Sequence, residues 1–206
     1  MKQTKSGFTI VEIAVVIVIL AILAGLATFG YQRISEISND NALRNDLTHT
    51  AEDLTSWLID HSMAELVSIY NSEGGYSAAW ITGEEADNDL SPSQIRWNEI
   101  EDMPSIQISP KSTIEVIGRY TSGDPTVATA TNNFMVQNDM FCITGAIKDG
   151  SYNYRPMSGE PAKYDKLLFY DSAIERVVTI NELAEAYDDG QQITCRVHLE
   201  RWRDAT

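Results

Sequence analysis

From Ile13 to Gly30 the chain reads IAVVIVILAILAGLATFG, a run whose only polar side chain is Thr28, and Glu12 stands immediately before it. As a helix these residues span about 27 Å at ~1.5 Å per residue, the thickness of a bilayer core. Glu12 is the only charge between Phe8 and Gln32. A carboxylate inside hydrocarbon costs a few kcal/mol or more, so it needs a cation. Lys2 and Lys5 precede it, Arg33 follows it, and a new chain end made at Phe8 would supply an α-ammonium.

Two simpler readings fail on the pattern. A secretory signal has a shorter apolar region of roughly 7–15 residues and a small-residue cut site; this run is longer, follows a glutamate and offers only Ala24-Gly25-Leu26-Ala27. A plain membrane anchor explains the hydrophobicity but neither Glu12 nor the Gly7-Phe8 junction.

Lys5-Ser6-Gly7 followed by Phe8-Thr9-Ile10-Val11-Glu12 and an aliphatic run resembles the type III signal of type IV pilins and pseudopilins. The resemblance covers residues 1 to about 34. It implies that a prepilin peptidase cuts after Gly7, that Phe8 becomes the N-methylated first residue, and that Glu12 pairs with the amine of a neighbouring subunit during assembly. Many major pilins carry a proline part-way along this helix; here Phe29 takes that place, and the first proline is Pro92. Gly25 and Gly30 lie on either side of it. Glycine costs about 1 kcal/mol relative to alanine in a helix, which marks a segment able to stretch or melt. Small residues also permit close helix packing, and both readings stay open, as does the choice between major and minor subunit.

The expected organisation is a leader (1–7), a hydrophobic transmembrane or filament-core helix (8–34), its amphipathic continuation (35–70) and a β-rich head (71–206). The expected class is α+β, with the long helix packed on an antiparallel sheet. Tyr31, Ile34, Leu43, Leu47, Ala51, Leu54, Leu58, Leu66 and Ile69 fall mostly at three- and four-residue spacings. Asp46, Glu52, Asp53 and Asp60 lie between them and are expected on the wet face. The helix is expected to end near Asn71, before Gly74-Gly75.

Tyr76 to Pro110 reads as loop-rich, with Trp80, Ile81, Ile95, Trp97 and Ile100 available for the core. Glu84, Glu85, Asp87 and Asp89 form an acidic string lacking the glycine and terminal glutamate of an EF-hand, and are expected to be a solvated loop. Strands are expected at Thr113–Tyr120, Phe134–Val136, Met140–Ile147, Leu167–Tyr170 and Val177–Ile180. Asp149-Gly150 supplies a type I′ turn toward Ser151–Tyr154. Asn181 is expected to cap a short helix, Glu182–Tyr187, stopping at Asp188-Asp189-Gly190. Gln192–Trp202 alternates Ile193, Cys195, Val197 and Leu199 and is expected to be a last strand, with Arg196, Arg201 and Arg203 as its solvated charges.

Cys142 and Cys195, both on expected strands, lie in the part placed outside the membrane, where disulfides persist. Pilins of several lineages close a C-terminal loop with such a bond, so the resemblance implies a pairing. A loop of this size is worth up to about 4 kcal/mol. Two buried free thiols are the other reading.

Removing residues 1–7 leaves 13 basic against 30 acidic side chains. So acidic a surface repels phosphate backbones and disfavours direct nucleic-acid binding. His49, His61 and His198 are scattered, with no metal-ligand spacing and no glycine-rich phosphate loop. His49, Asp53 and Ser56 share one helix without defining a triad. The chain is expected to be a component without enzymatic activity, cofactor or metal. Its expected partners are other pilin subunits in a homopolymer, the prepilin peptidase and the cytoplasmic membrane. After assembly it would lie in an extracellular pilus serving adhesion, twitching motility or DNA uptake. A minor pilin or a type II secretion pseudopilin, whose head recognises a partner, is the alternative.

Overall fold

The structure, a computed structural model, describes residues 10–62, 78–86, 94–100, 103–118, 140–147 and 167–205. Its first long element is α1, Ile10–Asp60. The chain divides into two units, Met1–Ser38 and Asn39–Thr206. The first, from Ile10 onward, is helix alone.

In the second unit Leu43, Asp46, Leu47, Thr50, Ala51 and Leu54 of α1 are buried, a stripe at helical spacing. Burial thus runs from Leu43, while Tyr31 and Ile34 of the expected stripe are exposed. α1 ends at Asp60, ahead of the expected end near Asn71; Leu66 and Ile69 lie outside the described residues. Asp46 departs from the expected wet face and is only 9% exposed. Its carboxylate accepts the Ser109 N–H at 3.1 Å, the Ser109 hydroxyl at 3.0 Å and the Ser112 hydroxyl at 2.5 Å. Such bonds replace the water that a buried carboxylate loses.

The sheet comprises β1 (Ala78–Thr82), β2 (Gln94–Arg96), β3 (Ser112–Gly118), β4 (Cys142–Ile147), β5 (Leu168–Asp171) and β6 (Arg176–Thr179), in the order β2-β1-β3-β4-β5-β6. β1 to β6 pair antiparallel through β3, β4 and β5, but β1 and β2 pair parallel, so the sheet is mixed. One hydrophobic cluster joins Leu43, Leu47 and Leu54 to Ile114, Ile143 and Leu168. Gly145 sets the spacing there, since an added Cβ would lie 2.9 Å from Leu43 Cδ1 and 3.0 Å from Leu47 Cδ1. Trp97, in a 3₁₀ turn after β2, is fully buried and donates its indole N–H to the Pro104 carbonyl at 2.9 Å. Trp80, Ile81, Ile95 and Ile100 are buried as expected.

After β6 come α2 (Ile180–Asp188) and α3 (Arg196–Ala205). α2 is capped by Thr179, where Asn181 was expected. Thr179 Oγ1 accepts the Glu182 N–H at 3.3 Å, and Glu182 accepts the Thr179 N–H at 2.7 Å and its hydroxyl at 2.9 Å. Thr-x-x-Glu is a capping box, hidden when Val177–Ile180 is read as one apolar run. The helix stops before Gly190, whose φ of +78° suits glycine.

The last element corrects the expectation of a strand over Gln192–Trp202. Cys195, His198 and Leu199 are buried and Trp202 half-buried, a helical spacing, and Arg196 pairs with Glu200 one turn on at 2.7 Å. Cys195 therefore sits at the turn before α3 and not on a strand. A second cluster packs Ile180, Leu183, Ala186, Cys195 and Leu199 against Cys142, Phe169 and Val178 on the sheet. The expected strand Phe134–Val136 and the Asp149-Gly150 hairpin lie outside the described residues.

Candidate functional site

Every large apolar side chain from Ile10 to Ile37 is at least 51% exposed. Full burial of such a side chain is worth roughly 1.5–3 kcal/mol, so water is a poor medium for this surface. The helical backbone satisfies its own hydrogen bonds, which hydrocarbon demands. Thr28 meets the same demand by donating its hydroxyl to the Ala24 carbonyl at 2.9 Å. α1 is long and apolar enough here to cross a membrane. Gly25 and Gly30 have open space where a side chain would start.

Glu12 lies in the first turn of α1, exposed. The amide dipoles of a helix favour a negative charge at that end. Gly7 and Phe8 lie outside the described residues. Cys142 and Cys195 are joined by a disulfide with a Cα–Cα distance of 5.2 Å.

Several charged and histidine side chains of the second unit have partners among the described residues. His49 meets Glu52 at 3.1 Å, and His61 stacks on Trp57 with ring centroids 4.1 Å apart. His198 is buried, with Nε2 3.3 Å from Thr144 Oγ1 and its ring 5.0 Å from that of Phe169. Burial pushes the Tyr170 hydroxyl's pKa up, aided by Glu175, Glu52 and Asp171. Burial also pushes Glu182 up, but the two Thr179 hydrogen bonds, with Arg44 and Arg176 nearby, outweigh it and hold the carboxyl below its ordinary value. Arg196 is held further toward its charged form by Glu200. Arg203 meets Asp188 at 2.6 Å, and both arginines lie over the Tyr187 ring. These are helix-surface charges where strand charges were expected. Glu84 and Glu85 are exposed, while Asp87 and Asp89 fall outside the described residues. Among the described residues no group of three or more acidic, histidine or cysteine side chains is placed to hold a metal ion.

Sequence reasoning passed over Asp171, which is fully buried. Its Oδ2 accepts the Thr194 and Cys195 N–H groups, each at 2.7 Å, and its Oδ1 accepts that of Ala173 at 2.9 Å. The position two residues past the apolar Leu168-Phe169 pair carries no local signal for this role.

Residues 2–28 match the family model described as the prokaryotic N-terminal methylation motif. No curated protein and no solved structure matches the chain. The motif is the type IV prepilin signal and supports a type IV pilin-like protein, pilin or pseudopilin. It implies processing by prepilin peptidase and assembly into filaments, and with the apolar helix it supports membrane anchoring before assembly.

Proposed function

We propose that the chain is a structural subunit of a type IV pilus, a component rather than a catalyst. Cleavage after Gly7 would expose Phe8 for N-methylation, and Glu12 would neutralise the Phe8 amine of the adjacent subunit. The observation that carries this reading is the exposed apolar half of α1 that begins inside the methylation motif. Assembly would remove that surface from lipid and pack it against copies of itself, leaving the acidic head outside. The assembled fibre would serve adhesion, twitching motility or DNA uptake, the last without direct nucleic-acid binding by this subunit. Mass spectrometry of filaments sheared from cells tests the reading. A methylated Phe8 terminus on an abundant fibre constituent is expected; a retained initiating methionine overturns it.

A second reading, a minor pilin or type II secretion pseudopilin whose head recognises a partner, draws support from the uninterrupted α1 with Phe29 where many major pilins have proline. It predicts the same processed terminus on a scarce constituent.

A further inference from the structure

The disulfide joins β4 to the turn that opens α3, and both cysteines are shut away from water, Cys195 fully and Cys142 at 4% exposure. Thiol–disulfide exchange needs the attacking thiolate to reach a disulfide sulfur. Something must open first, and the hydrogen bonds show where.

Cys195 is held at three points. Its sulfur is bonded to Cys142, its N–H is taken by Asp171, and its carbonyl accepts the His198 and Leu199 N–H groups at 3.1 and 3.3 Å. Asp171 stands directly opposite Cys142 in the β4–β5 register. One buried carboxylate therefore anchors the amino end of α3 beside the bridge, while Leu199 closes over the same cluster. Carboxylate bonds to backbone N–H groups are among the stronger ones.

We propose that α3 and the turn before it form a latched strap over the Cys142–Cys195 bond, with Asp171 as the latch. Forming or breaking the bond requires the strap to lift while the sheet stays folded. In formation, with the strap up, one cysteine thiolate attacks the disulfide of a thiol oxidoreductase and the other displaces it. The cysteines give up two electrons and two protons, and the oxidant leaves as a dithiol. A dithiol reductant reverses each step and is itself oxidised to a disulfide. The strap then gives the head a bond that, once made, reductants reach only when the strap lifts.

The test is the rate at which a small dithiol reduces the full-length chain in detergent, read by alkylating free thiols and weighing the product. Reduction of the folded chain is expected to be at least about tenfold slower than of the urea-unfolded chain, with a urea dependence shallower than that of global unfolding. Asp171→Asn sets an amide where the backbone donors point and is expected to speed reduction by about tenfold to a hundredfold. Equal rates for folded and unfolded chains overturn the proposal. So does a urea slope matching global unfolding, or a folded Asp171→Asn chain reduced at the wild-type rate. If Asp171→Asn does not fold, the wild-type slope decides. None of these readings depends on whether the chain enters a filament.

Discussion

Ser112, the first residue of β3, donates its hydroxyl to the Asp46 carboxylate of α1 at 2.5 Å, a bond between residues 66 apart in the chain. With the two Ser109 donors it ties the head's portion of α1 to the approach into β3. Removing the acceptor leaves the buried Ser112 hydroxyl unsatisfied, at about 1–3 kcal/mol, and the half-buried Ser109 donors at less. Asp46→Ala is therefore expected to destabilise the head by roughly 2–4 kcal/mol, measured by denaturant unfolding. Ser112→Ala, which removes one donor and keeps the acceptor served by Ser109, is expected to cost less. Equal costs for the two would contradict this account.

Gly83 and Gly145 both lie where a Cβ has no room, but the obstacles differ. At Gly83 it would meet the backbone carbonyls of Ser109 and Pro110; at Gly145 it meets the ends of Leu43 and Leu47. Backbone that is itself hydrogen-bonded, as Pro110 is to Glu85 at 2.7 Å, cannot step aside as a leucine rotamer can. Gly83→Ala is expected to cost at least about 2–3 kcal/mol and Gly145→Ala about 1 kcal/mol. Thermal unfolding of the two variants checks the order, and the reverse order would show the loop at Gly83 to be the softer place.

The Thr179–Glu182 capping box carries a pH dependence. Folding lowers the Glu182 pKa, so the charged form is favoured in the native state. The resulting stability is present above the unfolded value of about 4.3 and is lost as pH falls through the lower folded value. Glu182 is half-buried, so screening trims the effect to about 0.5–1 kcal/mol. Wild type is expected to exceed Glu182→Gln in unfolding temperature at pH 7, with the gap closing below about pH 4. A gap that persists to pH 3 would assign the difference to packing.

The elements legible in the sequence are those whose stabilisation is local. The aliphatic run makes a helix wherever it is, and β3, β4 and β6 carry β-branched residues and β5 aromatic ones between turn formers. Gly7, Phe8 and Glu12 stand in a contiguous motif. What stayed hidden depends on partners distant in the chain. Asp46 reads as wet until Ser109 and Ser112 are brought to it. α3 reads as a strand because Ile193, Cys195, Val197 and Leu199 alternate, while the carboxylate that anchors its start comes from Asp171, 24 residues before Cys195. The Thr179–Glu182 box was within reach, being a four-residue pattern, but an apolar run ending at Ile180 obscured where the strand gives way to helix.

The proposed assembly separates cleavage from incorporation, and one substitution tests each step. Gly7→Leu places a bulky side chain at the junction, so the chain is expected to stay in the membrane with residues 1–7 attached, seen as an undiminished mass. Glu12→Val leaves the junction alone and is expected to be processed normally. In an apolar bundle, however, the Phe8 ammonium of a neighbour would then have no counter-charge. Removing one partner of a buried pair strands the other at a cost of about 3–5 kcal/mol. Co-expressed with wild type, Glu12→Val is expected to be depleted at least about tenfold in sheared fibres relative to the membrane pool. Equal representation in the two pools would show that the carboxylate has no part in assembly, and a cleavage defect in Glu12→Val would move its role to recognition by the peptidase.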